Sequence, residues 1–72
     1  MKKELSKEIY QWVLSNEDSY RRECDGDHRY YLTEDAIDKF GSRDETEDAE
    51  EDRWEIGDIV YKALNRIELE NK

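Results

Sequence analysis

The chain has 72 residues, of which 46% are charged and 35% apolar, with a net charge of −9. That length allows one domain at most, spanning residues 1–72, and leaves little room for a deep substrate pocket. The negative charge repels nucleic-acid phosphate and so disfavours direct DNA or RNA binding, while it favours attraction to basic protein surfaces.

Trp12, Trp54, Phe40 and five tyrosines supply large side chains that an intrinsically disordered chain usually lacks, so the sequence reads as folded. The single Cys24 excludes an intramolecular disulfide and fits a reducing compartment. No apolar run reaches membrane-spanning length, and Met1-Lys2-Lys3 is followed by Glu4 rather than by a signal-peptide core, so a cytoplasmic protein without a membrane segment is expected.

From Lys3 to Cys24 the positions Leu5, Ile9, Trp12, Val13, Asn16, Tyr20 and Cys24 recur at helical spacing. Glu17 precedes Arg21 and Asp18 precedes Arg22, each by four residues in the favoured acid-first order, which carries the first helix past Asn16. Gly26 supplies its stop, and Arg21 and Arg22 stand in the last turns, where the helix dipole favours cations. Asp25-Gly26 is also a favoured hairpin turn, so a β-hairpin over 19–32 is the alternative.

His28 to Leu32 reads as short and extended. Thr33 has the form of an N-cap, with Glu34 and Asp35 in the first turn and Leu32 placed to staple onto Ile37. A short second helix is therefore expected over Glu34–Phe40, ended by Gly41. Ser42 and Glu45 have capping-box spacing, so a third helix could begin there. Its apolar seam is Ala49, Ile56, Ile59, Val60, Ala63, Leu64 and Ile67, dense only after Ile56. Residues 53–69 read as helix, whereas 43–52 read either as its first turns or as a mobile acidic loop. The fold class expected is mostly α: long helix, short helix, long C-terminal helix.

The charge is concentrated. Between Asp44 and Asp58 nine carboxylates face one cation, Arg53, so this window carries −8 of the total −9. If it is helical, Asp44, Asp48, Glu51, Glu55 and Asp58 fall on one stripe of roughly 21 Å, with neighbours about 5–6 Å apart. DNA phosphates follow one another at about 3.4 Å per strand, a broadly similar density, so a basic nucleic-acid groove could accept such a face. The plainer reading is a solvated face that keeps a small protein soluble. Trp54 lies within the acid: it either anchors a partner or packs back on Trp12 or Phe40.

Other constellations are weaker. Glu23, Asp25, Asp27 and Glu34 occupy positions 1, 3, 5 and 12 of a twelve-residue frame that resembles an EF-hand loop, which would imply calcium. The frame departs from that family at position 6, where His28 replaces glycine, and at position 1, where Glu23 replaces aspartate. Cys24 and His28 are four apart, but no second pair completes a zinc set, so neither metal nor cofactor is expected. Gly26 to Leu32, leading into a helix, is similar to the wing-to-helix passage of small winged-helix excisionases, and nothing is carried over from that likeness. No spacing selects a nucleophile or an acid–base pair, and no enzyme activity is expected.

The function expected is binding: an acidic protein that inhibits or regulates a nucleic-acid-handling protein by occupying its basic site, through Asp44, Asp48, Glu51, Trp54, Glu55 and Asp58. Small acidic phage inhibitors of restriction, CRISPR or repair enzymes act in this way, and the chain resembles that class in size and charge rather than in any motif. The alternative is an assembly module, a helical homodimer or higher oligomer in which Ile56, Val60, Leu64 and Ile67 are shared between subunits. A calcium-responsive module on residues 23–34 is the lesser alternative.

Overall fold

The computed structural model describes residues 3–24 and 26–70. They form three helices: α1 from Lys3 to Glu23, α2 from His28 to Phe40 and α3 from Glu47 to Glu70. Each packs against both others, so α2 is a full wall of the bundle rather than a lid over one end. The bundle measures 38 × 23 × 14 Å, its long axis set by the 24 residues of α3 at about 1.5 Å each.

The seams meet as their spacing requires. Ile9 and Val13 of α1, Leu32 and Ala36 of α2, and Ile56, Val60, Ala63 and Leu64 of α3 form one buried core. Trp12 stacks edge-on against Tyr20 and Phe40, with ring centroids 6.1 and 6.0 Å away, and so closes the α1–α2 side. Both i,i+4 pairs of α1 form: Arg21 holds Glu17, and Arg22 lies 3.2 Å from Asp18. Gly26 follows with φ +89°, a left-handed value that favours glycine and reverses the chain into α2.

Helix α2 corrects three expectations. It begins at His28, so the segment 28–32 is helical rather than extended, and no strand pair occupies 19–32 among the described residues. Thr33 is not a cap; its hydroxyl donates to the Arg29 carbonyl at 2.7 Å, one turn inside the helix. Leu32 is a fully buried core residue rather than a staple outside the helix. Tertiary contacts favour this longer helix, since Arg29 donates to Glu68 at 2.9 Å and to Asn65 at 3.3 Å, both in α3. Gly41 does end α2, but with extended backbone, φ −118°. Glycine is needed there for proximity: a Cβ would lie 2.7 Å from Ile56 Cδ1 and 3.1 Å from the Ile37 carbonyl oxygen.

The acidic window divides between the two readings. Residues 43–46 are loop and 47–52 are helix. The cap is Thr46, whose Oγ1 accepts from Ala49 N at 3.1 Å, while Ser42 Oγ accepts from Asp44 N within the loop.

Candidate functional site

The candidate site lies on the first turns of α3, and the fate of the cations explains its charge. Arg53, the one cation of the window, donates to the backbone carbonyls of Ser42 and Asp44 rather than to a carboxylate, which ties the loop to α3. Arg43 is spent on α2, 2.6 Å from Asp38 and 3.0 Å from Glu34. Arg29 pairs with Glu68, Lys62 with Asp58 and Arg66 with Glu70. Arg66 is held protonated above its ordinary range by its bonds to Glu70 and to Tyr10. Among the described residues no ion pair reaches Glu45, Glu47, Asp48, Glu50, Glu51 or Asp52, all of them exposed. Glu8, Glu23 and Asp27 also have no ion pair among the described residues, but the unpaired carboxylates are most crowded at this end of α3.

The expected stripe survives in part. Asp48, Glu51, Glu55 and Asp58 share α3 over about 15 Å, but Asp44 lies in the preceding loop, where its backbone N–H donates to Ser42 and its carbonyl accepts from Arg53. Asp48 and Glu51 are exposed, whereas Glu55 and Asp58 are half-buried and line, with Ser6 and Ile59, a shallow hollow of about 220 Å³ against α1. The face turned fully outward is therefore centred nearer Glu47, Glu50 and Glu51 than the spacing alone proposed.

Trp54 does not pack on Trp12 or Phe40. It is 71% exposed, and those two rings pack against each other instead. Tyr61, two turns on, is 60% exposed, and the Arg29 guanidinium lies 5.9 Å from its ring centroid. Ile56, Val60 and Leu64, offered as a seam for a partner subunit, are consumed in the core of the single chain, and Ile67 packs against that core.

Glu17 was not singled out for burial. It is 5% exposed, held by Arg21 and 3.9 Å from His28 Nε2. The spacing Ile9, Val13, Glu17 places it on the core seam, but its residue type conceals this. Tyr20 donates its hydroxyl to Asp35 across the α1–α2 interface, and that bond, with burial, pushes the phenol from its usual 10.0 up to about 12.

The twelve-residue frame 23–34 is not a loop, because α2 occupies its second half and Glu34 turns to Arg43. Asp25 lies outside the described residues; among those described, no three His, Cys, Asp or Glu side chains converge as metal ligands. No described helix is long and apolar enough to cross a membrane. Compared with known proteins, the chain matches no family model, no curated protein and no solved structure.

Proposed function

We propose that this chain is a non-enzymatic acidic binding protein that inhibits or regulates a nucleic-acid-handling protein by occupying its basic site. The observation that carries the reading is the uncompensated run Glu45, Glu47, Asp48, Glu50, Glu51 and Asp52 beside an exposed tryptophan. Two of these carboxylates would suffice to favour the helix N-terminus. The remainder repel one another at i,i+3 and i,i+4 spacing and oppose folding. A solubility role needs neither that crowding nor a large exposed ring at its edge, since scattered charge serves as well.

In this mechanism the carboxylates stand where a nucleic acid would place phosphates and steer the encounter with Lys and Arg of the partner. Trp54 adds short-range contact, as buried aromatic anchors do at interfaces. Glu51 and Asp48 act directly, Asp58 is shared with Lys62, and Asp44 contributes from the loop.

The test begins with capture on the immobilised chain from a nuclease-treated bacterial lysate, with elution by rising salt. The partner recovered is then competed with duplex DNA. Elution at moderate salt, competition by DNA and loss of binding in Asp48→Lys/Glu51→Lys are expected. A partner indifferent to salt, to DNA and to the charge reversal would refute the reading.

A further inference from the structure

On α3, the half-buried Gly57 stands three residues after Trp54 and four before Tyr61. Glycine in a helix interior is less stable than alanine, and nothing in the bundle requires it here. A Cβ built on Gly57 meets no atom within 4 Å, whereas Gly26 is needed for its positive φ and Gly41 for its approach to Ile56. The result is a bare stretch of backbone between two exposed rings. Such gaps in a side-chain surface are where another backbone can come close.

The surroundings indicate the occupant. At the Tyr61 end the chain already holds a guanidinium: Arg29 lies over the ring, 2.9 Å from the Glu68 carboxylate. An aromatic face with a carboxylate beside it is a good seat for arginine, whose planar cation stacks and is weakly hydrated. The Trp54 end repeats this set. Glu50 and Glu51 precede the ring by four and three residues, Asp58 follows by four, and among the described residues no cation lies over the indole.

We propose that Trp54, Gly57, Glu50 and Glu51 form a notch that seats an arginine side chain from a basic segment of a partner protein, with Gly57 admitting that segment's backbone to close approach. This rests on the acidic-binding reading above and specifies the contact. Lysine satisfies the charge but stacks poorly, so the notch discriminates between the two cations.

The test uses the full chain and two synthetic peptides of equal length and charge, one arginine-rich and one lysine-rich, titrated calorimetrically at low salt. The arginine peptide is expected to bind several-fold more tightly and to shift the tryptophan emission. Trp54→Ala should weaken that binding by about tenfold at unchanged Tm. Gly57→Ala should raise Tm by about 4–8 °C while weakening the arginine peptide several-fold, a pairing that a structural glycine does not produce. Equal, salt-sensitive binding of both peptides, untouched by either substitution, would overturn the notch and leave the acidic face standing. Failure of both peptides to bind would overturn both the notch and the acidic-face reading. A lower Tm for Gly57→Ala would also overturn the notch, by giving the glycine a packing role.

Discussion

Replacing Glu51 by glutamine should stabilise the fold. Glu51 has Glu47 and Asp48 at i−4 and i−3 and Glu55 at i+4, and no cation pairs with it among the described residues. Each like-charge pair at this spacing costs about 0.2–0.5 kcal/mol, so removing three relieves about 0.6–1.5 kcal/mol. Glu51 lies beyond the first turn that starts at Glu47, where the dipole's favour for anions has faded. Glutamine matches glutamate closely in helix propensity. Tm should therefore rise by about 2–12 °C when melting is followed by circular dichroism at low salt. The rise should nearly vanish at about 1 M salt, where the screening length of about 3 Å is shorter than the spacing of the carboxylates. An unchanged or lower Tm at low salt would refute the claim that this face works against folding, and with it the argument that its crowding serves a partner.

Three further outcomes follow from the fold. Tyr20 keeps its proton in the folded state up to about pH 12 but loses it near 10.0 when unfolded, so its stabilisation is complete below pH 10 and is lost as pH rises through the folded value; between these limits the wild type should lose more stability to urea than Tyr20→Phe does. Gly41→Ala should destabilise by about 1–3 kcal/mol, read by urea denaturation, because the new methyl meets buried Ile56 and the Ile37 carbonyl; a neutral result would mean that the α2–α3 turn yields easily. Arg21→Ala should be more damaging than Glu17→Leu, since the first leaves a buried carboxylate without its main partner and the second extends the apolar seam of Ile9 and Val13; the order of the two urea midpoints decides it.

The first helix was legible because its information is local. Its seam and both of its ion pairs lie within four residues along the chain. The start of α2 was not legible, because its support is distant: Arg29 reaches α3 at Asn65 and Glu68, and Leu32 enters a core built by all three helices. Thr33-Glu34-Asp35 has the composition of a helix start, yet the threonine hydroxyl is satisfied just as well by the carbonyl one turn back. Trp54 could have been placed. Ile56, Val60 and Ala63 define the inward side of α3, and at about 100° per residue Trp54 falls well away from it. Tryptophan as a residue type points equally to a core and to an interface, and only the direction of the seam decides between them.

The distribution of arginine bears on what the acidic end is for. A chain whose sole aim was solubility could place Arg53 among the carboxylates it accompanies in sequence and so reduce their repulsion. Instead Arg53 closes the loop from behind, Arg43 braces α2, and Arg29 is occupied at the far end of α3. Each cation steadies the scaffold while remaining clear of the exposed face. The same helix leaves a ring in solvent and an open backbone position beside it. Crowded charge and an unpacked glycine each lower the stability of the isolated chain, and the unshielded tryptophan contributes little burial to it. All three fall within the turns from Glu47 to Asp58, where the docking of a cationic surface proposed above would act on each.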